Sequence, residues 1–216
     1  MNPLICGRCG ERVKLPAVGG QSLAGRERTA EPLVCVECGH RQVFTRQPLF
    51  CLTGPSGTGK STLARVLVPQ LFDRFVVLEQ DVLWLPELSD PTDEHRLFRS
   101  TWLRLAAMIG QNGRPVLLCG TVVPPELEPL PERALFSTVH YLALTCHPDV
   151  LAQRLRARPE WREWDEPRIV EMLDYAQWLG ASAATLDPPV SLLDTTHRTV
   201  EATAQDICGW LARLMP

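Results

Sequence analysis

The chain has 216 residues, of which 45% are apolar and 22% charged, with a formal charge of -3 and a pI near 6.0. That size suits one ordinary domain or one domain with a small appendage, and the composition excludes a mainly disordered chain, a collagen-like repeat or a coiled coil. The slight negative charge draws the whole molecule to neither nucleic acid nor anionic membrane, and no apolar run approaches the ~20 residues of a bilayer span.

The start, MNPLICGRCG, lacks a basic region followed by an apolar core, so no secretory signal is read there. Without an export signal, cysteines point to reduced thiols and metal ligands rather than disulfides, and a cytoplasmic enzyme is the expectation. Four of the eight cysteines form two C-x-x-C pairs, Cys6 with Cys9 and Cys35 with Cys38. The cysteine-glycine knuckles CGRCG and CVECGH read as a zinc ribbon, in which four thiolates close on one Zn²⁺ and the site is structural. Redox pairs are the competing reading, and His40 is an alternative ligand. The stretch between the pairs is long for a ribbon, so a loop over Ala17–Glu31 is expected to bulge out. A segment of about 45 residues cannot build a sufficient core alone, which makes metal binding its main source of stability.

Up to Gln47 the chain carries seven Lys/Arg against four Asp/Glu, while the remainder carries fifteen against twenty-one. The boundary therefore falls near Arg46–Pro48, giving a ribbon over 1–47 and a second domain over 48–216. Arg8, Arg12, Lys14, Arg26, Arg28, Arg41 and Arg46 make the ribbon locally basic, which suits a nucleic-acid backbone. Its one aromatic is Phe44, so a role in protein docking or domain packing fits equally well.

From Leu49 onward strands and helices alternate. LFCLT is a short apolar strand, followed by a glycine-rich turn and a helix over Lys60–Leu71. FVVLEQD is a second strand ending in acids. A helix around His95–Gly110, with Trp102 and Leu105 on its core face, leads to the strand PVLLCG. Pro124, Pro125, Pro129 and Pro131 mark an irregular loop. Val139–Thr145 is a fourth strand, Asp149–Arg158 and Trp164–Leu179 are helices, Val190–Leu193 is a fifth strand, and Val200–Leu214 closes the chain as a helix. Apolar runs without alternation mean strands buried on both faces, and the interleaved helices imply parallel crossovers. The fold class is α/β: three layers around a five-stranded parallel sheet, preceded by a small zinc ribbon, and the run GPSGTGKS at residues 54–61 directly after the first strand makes it a P-loop NTPase fold. Cys51 and Cys119 fall within strands and are expected in the core.

Gly54-Pro55-Ser56-Gly57-Thr58-Gly59-Lys60-Ser61 fits G-x-x-x-x-G-K-[ST], between a buried strand and a helix. The glycines permit backbone conformations closed to other residues, so that amide N–H groups face inward as a nest for phosphate oxygens. In this motif Lys60 reaches the β- and γ-phosphates and the Ser61 hydroxyl binds Mg²⁺, with Thr62 beside it on the first helical turn. ATP and Mg²⁺ are the cofactors that this loop predicts.

Taken in order, GPSGTGKST, VVLEQDVLW, RLRARPEW and LLDTT make residues 48–214 resemble the small P-loop kinases. These are the guanylate, gluconate, shikimate and adenylate kinases, with nucleoside or nucleotide kinase-like proteins often called AAA-family ATPases. The resemblance implies that Asp81, with Glu79 two residues earlier, contacts or deprotonates the acceptor hydroxyl. It implies a mobile lid whose Arg154 and Arg158 neutralise the transferred group, with Arg156 and Arg162 as secondary candidates. It puts Asp194 and Thr196 beside the adenine, and Arg96, Arg99, Arg104, Trp84 and Trp102 in the acceptor region. One departure stands out: the strand that ends in an acid in Walker B proteins here runs into Gly120 and Thr121. Asp81 is then the substitute Mg²⁺ partner.

The function read from the sequence is ATP-dependent phosphoryl transfer to a small-molecule acceptor: a nucleoside, a nucleotide or a sugar-like hydroxyl. The alternative is a nucleic-acid-associated P-loop ATPase or polynucleotide kinase delivered by the ribbon. The acidic second domain disfavours it, because a polynucleotide path needs a continuous basic groove.

Overall fold

The structure is a computed structural model that describes residues 4–13, 30–88 and 90–215. The predicted bulging loop lies largely outside the described residues, as do Lys14, Arg26 and Arg28. Its expected end is corrected, because Ala30 and Glu31 already belong to strand β1 (Ala30–Val34). β1 pairs antiparallel with β2 (Arg41–Thr45) in register Ala30 to Thr45, with the second cysteine knuckle at the turn.

The remaining strands form one parallel sheet in the order β4-β5-β3-β6-β7: Val76–Glu79, Val116–Cys119, Leu49–Thr53, Val139–Thr145 and Val190–Asp194. All five predicted strands are present. β3 lies at the centre, and Leu49 through Thr53 are each fully buried, as expected for an apolar run covered on both faces. Helices α1 (Lys60–Leu71) and α6 (Val200–Leu214) cover one face, with Leu63, Leu67, Ile207 and Leu211 packed on Phe50 and Leu52. Helix α2 (Arg96–Gly110) covers the other. Helices α4 (Pro148–Arg156) and α5 (Glu166–Ser182) form a hairpin above a small third core around Leu151, Leu155 and Ile169. Because the chain leaves β3 to both sides of the sheet, a crevice opens at the carboxyl end of β3, where open α/β sheets bind ligands.

Two sequence expectations are corrected. The proline segment after β5 is not irregular: helix α3 (Pro124–Leu127) and a 3-10 turn (Pro131–Leu135) start on prolines, which are pre-set for a first helical position. On α2, Trp102 is core but Leu105 is 39% exposed, since the buried stripe runs through Phe98, Trp102, Leu103 and Ala106. Cys51 and Cys119 are core, as expected.

The ribbon shares its core with the sheet domain. Cys6, Val13, Leu33, Cys35 and Phe44 belong to the same buried cluster as Leu49, Trp102 and Val116, so apolar packing runs across the expected boundary at Arg46–Pro48. The Gln111 amide clasps the end of β2, donating from Nε2 to Thr45 O at 2.8 Å while its Oε1 accepts from Thr45 N at 3.2 Å. Arg46 Nε donates to Ala134 O at 3.0 Å. Among the described residues, no helix is long and apolar enough to cross a membrane.

Candidate active site

The glycine-rich loop leaves β3 at Gly54 with φ 121°. A Cβ there would lie 2.3 Å from Leu144 O, so both the backbone angle and the packing against β6 require glycine. Gly57 is similarly tight, with Leu151 Cδ1 2.9 Å from its would-be Cβ. Gly59, at φ 101°, has nothing within 4 Å of that position, and it caps α1 without any side-chain hydrogen bond. The first-turn amides of α1 have no acceptor within the helix, and Gly59, Ser61 and Thr62 line the cavity in front of them, where the helix dipole favours an anion. Within the loop Thr58 Oγ1 donates to Pro55 O at 2.8 Å.

Lys60 Nζ folds over the loop and donates to Gly54 O at 2.6 Å and Pro55 O at 2.9 Å. Burial lowers its pKa to about 8, against the opposing pull of Asp81. A cavity of about 560 Å³ opens before it, and Gly57, Gly59, Ser61, Thr62, Glu79 and Asp81 all line it. Glu79 ends β4, and Asp81 sits in the following 3-10 turn, Gln80–Leu83. Gln80 also accounts for the missing Walker B acid. Its Oε1 lies 1.9 Å from where a Cβ on Gly120 would stand, so the place of an acidic side chain is already filled.

The opposite wall is basic. Arg154, Arg158, Arg162 and Arg198 line the same cavity. Arg154 reaches Thr195, donating to its backbone O at 3.2 Å and its Oγ1 at 3.4 Å. Arg158 stacks over Trp164 at 5.3 Å; desolvation lowers its pKa, neighbouring Arg162 adds to this, and Asp81 opposes it. Arg156 takes no part, because it pairs with Glu166 through two bonds of 2.7 Å. The segment expected to form the lid runs from α4 through a 3-10 turn, Glu160–Arg162, into α5. Arg168 also stacks on Trp164, at 4.7 Å, and donates to the carbonyls of Arg162 and Glu163.

Asp194 and Thr196 do not join this cavity. Asp194 accepts from Thr196 N at 2.8 Å and from the Thr196 hydroxyl, as a strand-terminating turn does, and both line a separate depression of about 370 Å³ with His147 and His197. Their neighbour Thr195 lines the main cavity, with Arg198 and Thr199. Sequence reasoning missed these three and also Trp161, which is 73% exposed at the cavity rim under Arg162. Thr195 lies within LLDTT and Trp161 ends RLRARPEW, whereas no motif pointed to Arg198 or Thr199.

The acceptor-region candidates separate in the structure. Arg99 pairs with Glu126, and Arg104 Nη2 reaches Glu132 at 2.6 Å. Trp102 donates its Nε1 to Gln80 O at 3.2 Å inside the core. Arg96 and Trp84 are exposed.

At the other end of the chain, the sulfurs of Cys6, Cys9, Cys35 and Cys38 lie within 4.8 Å of one another, and His40 is not part of the group. The Cys6–Cys38 and Cys9–Cys35 separations are 3.7 and 3.6 Å, close to the ~3.8 Å edge of a tetrahedron with Zn–S ≈ 2.3 Å. The two knuckles repeat one pattern: Cys6 N donates to Glu11 O and Cys35 N to His40 O, while Gly10 N donates to Cys6 O and Gly39 N to Cys35 O.

Residues 51–172 match the family described as the AAA domain. A gluconokinase structure from Sinorhizobium meliloti 1021 is 17% identical and aligns with a TM-score of 0.54 over 78% of this chain and 95% of its own. A sugar kinase from Janibacter sp. HTCC2649 is 18% identical, with a TM-score of 0.57 over 77% and 95%. A shikimate kinase from Bacteroides thetaiotaomicron is 21% identical, with a TM-score of 0.50 over 77% and 98%. No curated protein matches. The chain belongs to the AAA domain family, and its sheet domain has the fold of the P-loop small-molecule kinases.

Proposed function

We propose that the protein transfers the γ-phosphoryl group of Mg-ATP to a hydroxyl of a small-molecule acceptor. The observation that carries this reading is that one cavity gathers the phosphate loop, two strand-end carboxylates and several guanidinium groups. Phosphoryl transfer asks a protein for positioning and charge neutralisation rather than covalent chemistry. The loop amides and Lys60 hold the phosphates, while Arg154 and Arg158 offset charge on the transferred group from the opposite wall. The Asp81 carboxylate takes the proton as the acceptor oxygen bonds to phosphorus, and the bond to the β-phosphate oxygen breaks to release ADP. Ser61 with Asp81 or Glu79 forms an oxygen donor set for Mg²⁺, which when bound neutralises the phosphate oxygens. The four thiolates, with no open ligand position, fit a structural Zn²⁺. Phe44 is buried, so the ribbon presents no aromatic on which a nucleic-acid base stacks.

The test is ATP consumption against a panel of nucleosides, nucleotides, sugars and sugar acids. Turnover that depends on one acceptor and is abolished in Lys60→Ala is the expected result. Asp81→Asn is expected to lower kcat by about 10²-fold or more, the usual worth of a general base. Acceptor-independent ATP hydrolysis, or full activity in Asp81→Asn, contradicts the reading.

A further inference from the structure

Met172 lies on the stripe that α5 buries, one turn after Ile169 and one turn before Ala176. Spacing alone makes it a core residue, and it packs with Trp164 against the cluster of Leu151, Leu155 and Ile169. Its sulfur has a more specific contact, because Sδ accepts a hydrogen bond from Ser56 N at 3.2 Å. Ser56 belongs to the phosphate loop and lines the cavity. Among the described residues, no other hydrogen bond joins residues 54–61 to the α4–α5 hairpin. The neighbouring contact is apolar, with Leu151 Cδ1 and Leu155 Cδ2 at 2.9 and 3.1 Å from where a Cβ on Gly57 would stand.

The bond matters because of the other end of the same peptide. The Pro55–Ser56 peptide is trans, hence planar, with its C=O and N–H pointing in opposite directions. With the N–H turned out to Met172, the Pro55 carbonyl turns inward. There it accepts from Lys60 Nζ at 2.9 Å and from the Thr58 hydroxyl at 2.8 Å. The glycines on either side, Gly54 and Gly57, have φ of 121° and 92° and oppose rotation of the chain less than any other residue does. A weak acceptor outside the loop thus fixes the direction of a stronger one inside it.

We infer that Met172 is a positioning residue for Lys60: its sulfur holds the Pro55–Ser56 peptide in the orientation that offers a carbonyl to the lysine ammonium. The inference rests on the reading above, in which Lys60 holds the phosphates, and adds to it a residue that does not itself line the cavity.

Leucine fills the same space without an acceptor, whereas glutamine has a similar reach and ends in a carbonyl. Calorimetric titration with pyrophosphate reads the site without turnover. Met172→Leu is expected to weaken pyrophosphate about fivefold, because a loop ordered in advance becomes one that binding has to order. Met172→Gln is expected to restore most of the loss. Amide exchange at Ser56 should quicken in Met172→Leu and slow again in Met172→Gln. In a Lys60→Ala background Met172→Leu should cost nothing further, since its effect passes through the lysine. If that background binds too weakly to titrate, the glutamine rescue decides, and should Met172→Leu fold poorly, Met172→Ile makes the same test. Unchanged affinity in the folded variant, an equal loss with and without Lys60, or no rescue by glutamine overturns the inference while the phosphate site stands. If the wild-type protein binds neither pyrophosphate nor a non-hydrolysable ATP analogue, the underlying reading fails and takes the inference with it.

Discussion

The cysteine knuckles and the phosphate loop solve related problems in different ways. Both turn the backbone sharply on glycine so that N–H groups face a negative centre, thiolate in one case and phosphate in the other. At Gly10 and Gly39, with φ of 77° and 67°, nothing lies within 4 Å of where a Cβ would stand, so glycine serves the backbone angle alone. At Gly54 the carbonyl of Leu144 stands where that atom would go. The knuckle glycines thus have no packing behind them, whereas the phosphate loop is held from behind by the sheet. A small module can dispense with a deep core only where a ligand replaces it.

Metal removal should separate the two most sharply. Chelation is expected to unfold the ribbon while nucleotide binding survives, and, because the ribbon shares its core with the sheet, the main melting transition should also fall by several degrees. Circular dichroism and ATP-analogue titration on the same sample check both halves. A main transition that stays in place would mean the shared packing contributes little.

Glycine replacement comes next. Gly54→Ala should cost about 1–3 kcal/mol, from strain plus the clash with Leu144, and should weaken nucleotide binding as well. Gly10→Ala should cost only the positive-φ strain, about 1 kcal/mol, and should leave nucleotide affinity alone. Equal effects on affinity would erase the contrast.

Gln111→Ala removes both bonds to Thr45 and should lower stability by about 1–2 kcal/mol, read as a shift of the denaturation midpoint. The smallest effect concerns pH. Without nucleotide, burial holds Lys60 at about 8, and a bound triphosphate raises that value by favouring the charged form. Pyrophosphate affinity should then be flat below about pH 7 and should fall as pH rises through 8 toward the bound-state value, with proton uptake on binding measurable by calorimetry. Lys60→Arg should flatten that profile.

Signals that are local in sequence read through to the structure. The loop between Gly54 and Ser61, the buried run Leu49–Thr53 and the paired cysteines each carry their geometry within a few residues. What could not be read locally depends on partners far along the chain. Arg99 and Arg104 looked like free cations because Glu126 and Glu132 lie in a separate segment, beyond β5. Leu105 matched a helical stripe, but which edge of that stripe α2 buries is decided by where it meets the sheet. Asp194 sits one residue from Thr195, yet the turn it closes on Thr196 takes it out of the cavity. The Gln111 clasp on Thr45 left no mark in the sequence at all.

The two hydrogen bonds between Arg156 and Glu166 close the mouth of the α4–α5 hairpin, and two guanidiniums stack on Trp164 just beyond it. Arg158, Trp161 and Arg162 thereby stand on one braced span that lines the cavity, so loosening the Arg156–Glu166 tie would disturb all three together.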